Sequence, residues 1–329
     1  MGMESKYVWM DGKLVDFEKA TFHFLTPALH YGAAVFEGIR SYATDRGPAI
    51  FRAREHASRL LDSARIFGFR NLPWEAGELV EAFKDTVRAN GFSECYVRPL
   101  LYLAEGGWNL NVDAGKPHLG IAAWEWNNYL GAEAMERGVR ANVSSFTRHH
   151  PNVTMTKAKT SGNYSNSFLA KTESVRLGFD EAIMLDPQGF VAECTGENLF
   201  VVRGDRLFTP DTSDILEGIT RDSLIAVARD LGIEVVETPL SRDQLYVADE
   251  VFVCGTAAEV VALREIDFRV IGSGSMGPVT RALQKAFHST VRGAGPRNRE
   301  WLAYVDEPAL EDEAGARSRS RRPELVAVP

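Results

Sequence analysis

Lys157 and Lys159 stand two positions apart in TMTKAKTSGNYS, residues 154–165, among small and hydroxyl-bearing neighbours. The nearest acidic side chain in sequence is Glu173, so no adjacent carboxylate pins either ammonium. A lysine amine attacks a carbonyl when it is desolvated and has room around it. Ala158, Thr160, Ser161 and Gly162 supply that room. The chemistry on offer is a Schiff base with a carbonyl compound. Spacing alone does not choose between the two lysines, or between either of them and an ordinary loop lysine.

Other groups of the right type lie further along. In ILEGITRDSLIAVARDLG, Gly218 precedes a helix that opens with Ile219 and Thr220. Free N–H groups and the positive dipole end at such a turn suit a phosphate or carboxylate, although a plain N-cap reads equally well. DEVFVCGTAAEV repeats the pattern: a strand ends at Gly255, Thr256 and Ala257, with a following run that could turn into a helix. Two such turns suggest two loops on one anion. AECTGENLF puts Glu193 at the end of an alternating strand and Glu197 in the turn after it. A carboxylate at 193 could keep a heterocycle's ring nitrogen protonated, or simply close a salt bridge. Glu197 reads as a turn acid that accepts backbone N–H groups.

In CYVRPLLYL, strand alternation places Tyr96 and Arg98 on one face, a planar fork and a hydroxyl that together suit a carboxylate. Arg59 lies beside the apolar stripe of a helix, where sequence barely separates it from Arg54 or Arg65. GSGSMG, residues 272–277, matches GxGxxG once, but no strand follows the last helix to complete a βαβ unit, so it reads as a flexible loop. The seven histidines form no metal set.

These residues need elements to carry them. KYVWM and KLVDF flank Asp11-Gly12, a pair suited to a type I′ hairpin turn. Ala57, Leu60, Leu61 and Ala64 repeat at helical spacing in a helix over 53–67, and a second helix over 75–90 stops at Gly91. With the strands CYVRPLLYLA and LGIAAWEW they make an α+β domain over 1–125, followed by an interdomain loop at 126–137. From 138 to 307 hairpins dominate: EAIMLD with GFVAEC, and NLFVV with RLFTP around Gly204-Asp205. Helices over 220–231 and 278–291 and the strands EVVETPL and DEVFVCG complete that domain. Hairpins mixed with a few helices argue α+β over a doubly wound nucleotide fold. Residues 308–329 lack any sustained apolar period and read as a disordered tail.

The 329-residue chain is 45% hydrophobic and 25% charged, ordinary for a globular protein, and its net charge of −8 argues against a general nucleic-acid binder. Its one basic cluster, Arg317, Arg319, Arg321 and Arg322, lies in the tail. Cys95, Cys194 and Cys254 match no metal spacing and suit buried thiols in a reducing cytosol. No apolar run reaches membrane-spanning length and the N-terminus has no apolar h-region. A cytoplasmic chain with neither nucleic-acid nor membrane partners is the expectation.

In order along the chain, HYGAAVFEGIRSY, RLLDSA, YVRPL, KTSGNY, ECTGENLF, LEGITRDS, LYVADEVFVCGTAAEV and GPVT resemble the branched-chain amino-acid aminotransferases. These are fold-type IV, pyridoxal-phosphate-dependent enzymes, and the resemblance runs from YVWMDGKLV through WLAYVDE. It implies a two-domain α+β fold, with a small N-terminal α/β domain and a larger cofactor-binding domain around a β-barrel-like core. It also implies transamination of leucine, isoleucine and valine with 2-oxoglutarate, by a homodimer or larger homo-oligomer whose site lies near the subunit interface.

Residue by residue, it implies that Lys159 is the Schiff-base lysine, because Tyr164 of GNY lies five positions on; Lys157 then becomes a structural or surface lysine. Tyr164 would meet the cofactor's phenolic oxygen, Glu193 its ring nitrogen, and Leu216 the ring face. Arg59, Gly218, Ile219, Thr220, Gly255 and Thr256 would form the phosphate cup. Thr256 and Ala257 would meet the substrate carboxylate, while Tyr31, Phe36, Gly38, Tyr96, Arg98, Trp126, Tyr129 and Met155 would line the side-chain pocket. Arg98 with Tyr31 and Tyr129 is expected to take a γ-carboxylate; Phe36, Trp126 and Met155 are expected to contact an aliphatic chain. The sequence departs from relatives that carry GDVGMGVNP-like residues where it reads AEGGWNLNVDAG, around Trp108 and Asn109, and KAGGNY where it reads KTSGNY. A D-amino-acid transaminase, an (R)-amine transaminase and an aminodeoxychorismate lyase share the lysine and the cup and remain open as alternatives, as does a cofactor-free binding protein on the same scaffold.

Overall fold

A computed structural model describes residues 5–126 and 132–307. Tyr129 and the tail from 308 lie outside the described residues, as do positions 127–131 of the interdomain loop. The chain divides into two compact units. The described parts of Met1–Trp126, Ala158–Gly162 and Thr290–Pro329 form the first; those of Asn127–Lys157 and Asn163–Ser289 form the second.

The first unit is built on an eight-stranded sheet, ordered Leu302–Tyr304, Gly47–Phe51, Ile39–Thr44, Cys95–Glu105, Lys116–Trp124, Tyr7–Met10, Lys13–Asp16, with Ala34–Phe36 also paired to Cys95–Glu105. The hairpin read at Asp11-Gly12 is present, and both residues take the positive φ of a type I′ turn, 48° and 95°. The helices Ala53–Phe67 and Ala76–Asn90 bring Leu60, Leu61, Leu79 and Phe83 into one core with Val97, Leu101 and Ile121 of the sheet. Each such side chain, fully buried, contributes about 1.5–3 kcal/mol. That core holds Cys95–Glu105 in register with Lys116–Trp124, so that Tyr96 faces Trp124 and Arg98 faces Ala122.

The second unit carries a nine-stranded mixed sheet, ordered Val191–Cys194, Glu181–Leu185, Val139–Val143, Glu259–Ile266, Glu250–Gly255, Asn198–Arg203, Arg206–Thr209, Glu234–Glu237, with Arg269–Val270 against Glu259–Ile266. Leu199, Val201, Val251, Val253, Val261 and Leu263 fill its core. The helices Ile219–Asp230 and Pro278–Val291 lie where helical spacing placed them, and the GxGxxG string sits in a loop before the second.

Three features differ from the sequence reading. A strand, Leu302–Tyr304, does follow the last long helix, but it pairs antiparallel with Gly47–Phe51 and so completes no βαβ unit. The run after Gly255-Thr256-Ala257 is no helix: it reverses into strand Glu259–Ile266, pairing Gly255 with Glu259. Glu259 accepts φ 59° to make that turn, a local cost met by the strand pairing on both sides. Helix Tyr164–Arg176 has no counterpart in the sequence reading, because it buries only small residues, Ser167, Ala170 and Ser174, and leaves Phe168 and Leu169 exposed.

Candidate active site

In the first unit the backbone of Lys159 is fixed from both sides. Its N–H donates to Ser63 Oγ at 3.0 Å and its carbonyl accepts the Phe36 N–H at 3.0 Å. Thr160 then bridges Val35 as a short antiparallel pair. Gly32, at φ 66°, packs on Gly162, where a Cβ would come 2.9 Å from the Gly162 Cα. A side chain at 32 would therefore push this segment away. From the anchored backbone, Lys159 Nζ reaches to 5.0 Å from the Phe36 ring centroid.

The Arg98 guanidinium lies 4.7 Å from the same Phe36 ring and 5.2 Å from the Tyr96 ring, and it donates to Tyr96 Oη at 3.1 Å. The shared strand face read for Tyr96 and Arg98 is thus observed. A Cβ on Gly38 would stand 2.0 Å from Tyr96 Oη, so glycine there is what lets the phenol settle. Trp126 packs 5.3 Å from Tyr96. Arg98 Nε and Trp126 Nε1 are buried without a hydrogen-bond partner among the described residues. Orphaned donors beside an apolar ring suit a ligand with a carboxylate at one end and carbon at the other. Tyr31 closes the short helix Pro27–Tyr31, half exposed, and joins His30 and Trp108 in an aromatic group.

Arg59 projects from helix Ala53–Phe67 onto Glu37, a residue with no solvent exposure. Arg59 Nε meets Glu37 Oε1 at 2.6 Å and Nη2 meets Oε2 at 2.9 Å, while His56 Nδ1 lies 2.8 Å from Oε2. Burial would raise the Glu37 carboxyl, but Arg59 and His56 outweigh it and hold it well below the usual carboxylate range. Burial lowers His56, which leaves the imidazole a neutral donor to that carboxylate.

The second unit supplies a fixed carboxylate and a helix start. Glu193 Oε1 accepts from Arg148 Nε at 2.7 Å; Oε2 accepts from Asn198 Nδ2 at 3.2 Å and from the Leu216 N–H at 3.4 Å. Asn198 also donates to the Leu216 carbonyl at 3.1 Å, tying Glu193 and Leu216 into one arrangement. Gly218 is the N-cap of helix Ile219–Asp230, and a Cβ on it would meet Asn198 Oδ1 at 1.9 Å. Thr220 is buried in the first turn of that helix. Gly255, Thr256 and Ala257 occupy the strand reversal, with Gly255 close against the Gly196 carbonyl. Tyr164 begins helix Tyr164–Arg176, and Met155 is exposed, its carbonyl accepting Asn163 Nδ2 at 3.3 Å.

Helix-start N–H groups and a buried carboxylate of fixed orientation are the donors and acceptor that a phosphate and a protonated ring nitrogen require, so this residue set fits a phosphorylated pyridine cofactor. Lys157, by contrast, is tied structurally: its Nζ donates to the Ile215 carbonyl at 3.1 Å and faces Glu217 at 3.5 Å. Sequence reasoning missed Arg148, Asn198 and Glu37. The first two are 45 and 5 positions from Glu193 with no pattern to link them. Glu37 sits inside HYGAAVFEGIRSY, and an acid between Phe36 and Gly38 was the available signal.

A family model described as amino-transferase class IV matches residues 34–266. The branched-chain-amino-acid aminotransferase of Pseudomonas aeruginosa is 46% identical over 298 residues, 91% of this chain and 97% of that protein. The structure of the Escherichia coli branched-chain amino acid aminotransferase matches with a TM-score of 0.89 at 44% identity, covering 92% of this chain and 100% of that one. A branched-chain amino acid aminotransferase from T.th., solved with pyridoxamine 5′-phosphate, matches with a TM-score of 0.88 at 47% identity, covering 93% of this chain and 100% of that one.

Proposed function

The chain belongs to the class IV aminotransferases, and from that premise we propose that it moves the amino group of branched-chain L-amino acids to 2-oxoglutarate with pyridoxal 5′-phosphate as cofactor. Its fold is the two-domain, fold-type IV α+β arrangement. The observation that best supports the substrate pair is Phe36, an apolar ring within reach of both the Lys159 amine and the Arg98 fork. One pocket must accept an aliphatic side chain in one half-reaction and a γ-carboxylate in the other.

The cofactor, when bound, supplies an aldehyde for an amine and a ring that accepts the electron pair released at the substrate Cα. Glu193, oriented by Arg148, Asn198 and the Leu216 amide, would hold the proton on the ring nitrogen. Arg59, Gly218, Gly255, Thr256 and the helix-start groups of Ile219 and Thr220 would hold the phosphate. Tyr164 would donate to the phenolic oxygen and Leu216 would lie against the ring. Lys159 Nζ would hold the cofactor through its aldehyde carbon and would serve as the base that moves the proton at the substrate Cα. Thr256 and Ala257 receive the substrate carboxylate. Arg98, Tyr31 and Tyr129 take the γ-carboxylate; Phe36, Gly38, Tyr96, Trp126 and Met155 shape the remainder.

In this reading the chain works in the cytoplasm as a homodimer or larger homo-oligomer, with a second copy contributing part of the pocket. Three buried free cysteines fit a reducing compartment. Among the described residues no helix is long and apolar enough to cross a membrane. The test is an assay of the purified chain with 2-oxoglutarate and pyridoxal phosphate, L-leucine against D-alanine. Glutamate formation from L-leucine supports the proposal; faster turnover of D-alanine overturns it.

A further inference from the structure

Glu37 has no place in the chemistry above, yet it is fully buried and makes five polar contacts through a single residue. Its N–H donates to the Pro99 carbonyl at 3.0 Å, beside Arg98. Its carboxylate accepts Arg59 Nε at 2.6 Å, Arg59 Nη2 at 2.9 Å, His56 Nδ1 at 2.8 Å and the Gly38 N–H at 3.2 Å. A buried ion pair gives little net stability over a well-packed apolar group, so stability is a weak reason for a glutamate here. Geometry gives a stronger one. A two-point contact to Nε and Nη2 fixes the plane and the direction of a guanidinium, which a single contact leaves free to swing. The neighbours of Glu37 in sequence, Phe36 and Gly38, belong to the pocket, so its backbone is anchored there while its side chain reaches back to the helix.

We propose that Glu37 is a positioning residue that aims Arg59 at the cofactor phosphate, so that its charge and length set phosphate affinity without touching the cofactor. The inference rests on the pyridoxal-phosphate reading. Glu37→Gln keeps the volume but replaces an acceptor oxygen with an NH₂ group facing donors, which breaks the two-point contact. Glu37→Asp keeps the charge and shortens the reach.

The test is equilibrium binding of pyridoxal 5′-phosphate, and separately of pyridoxal, which lacks the phosphate, to the full chain freed of cofactor. The readout is the absorbance of the bound chromophore, with circular dichroism confirming the fold of each variant. Losing charge-assisted hydrogen bonds should weaken pyridoxal phosphate about 10–100-fold in E37Q while pyridoxal changes less than about twofold. In an Arg59→Met background, E37Q should add nothing further. If E37Q does not fold, E37D carries the same expectation of a phosphate-selective loss. Equal weakening of both compounds, or unchanged affinity for both, overturns the positioning role while leaving the cofactor reading intact. A wild-type chain that binds neither compound overturns both.

Discussion

Arg148 Nε donates to Glu193 Oε1 across 2.7 Å, and both side chains are buried. The second carboxylate oxygen is occupied by Asn198 and the Leu216 amide, so the carboxylate can neither rotate nor swing toward water. The proposed role of Glu193, holding a proton on a ring nitrogen, needs that constraint, because its orientation must be set before the ligand arrives.

Removing Arg148 should leave an uncompensated buried carboxylate. Arg148→Met is expected to lower unfolding stability by roughly 3–5 kcal/mol. Adding Glu193→Gln should recover part of that loss, since the orphaned charge is then gone. Urea denaturation of the cofactor-free chain checks both; a double variant no more stable than R148M would refute the pairing.

The proposed role of Arg98 is to separate the two half-reactions. In that role a charge-assisted contact to a γ-carboxylate would be worth about 1.5–3 kcal/mol, or roughly 10–100-fold in KM. Arg98→Ala should therefore raise KM for glutamate by that factor and change leucine much less. Steady-state kinetics with each donor decides; equal losses would remove the assigned division of labour.

Glu197 gives a pH signature. Burial, with the buried Glu181 carboxylate close by, pushes its carboxyl up from 4.5 to about 8. Between those values the folded chain keeps a proton that the unfolded chain has released, so stability falls as pH rises through that window. Glu197→Gln keeps an acceptor for the Gly196 N–H and removes the titration. Its stability in thermal melts should approach the wild type near pH 5 and exceed it at pH 8, by on the order of 1–3 kcal/mol. Parallel melting behaviour across that range would contradict the burial argument.

The two lysines should behave differently on substitution. Lys159→Ala removes the group proposed to transfer the proton and should cost at least about 10²–10⁴ in turnover. Lys157→Ala breaks a contact to the Ile215 carbonyl and should lose stability with turnover largely kept.

What the sequence made legible was whatever local spacing encodes. The helix Ala53–Phe67 follows from an apolar stripe with a glycine stop, and the Tyr96–Arg98 contact follows from strand alternation. Three things were beyond that reach. Helix Tyr164–Arg176 buries small residues in place of an apolar stripe, so periodicity gave it no signal. The reversal at Gly255–Glu259 is imposed by strand pairing, which overrides a local resemblance to a helix start. Arg148 and Glu37 acquire their meaning from partners far along the chain, through folds of backbone that no spacing reports.

The most direct test of the account is borohydride reduction of the full chain loaded with pyridoxal phosphate, followed by digestion and mass mapping. The account predicts one modified peptide, with the cofactor's mass fixed on Lys159. Modification on Lys157 or another lysine, or none at all, would contradict it.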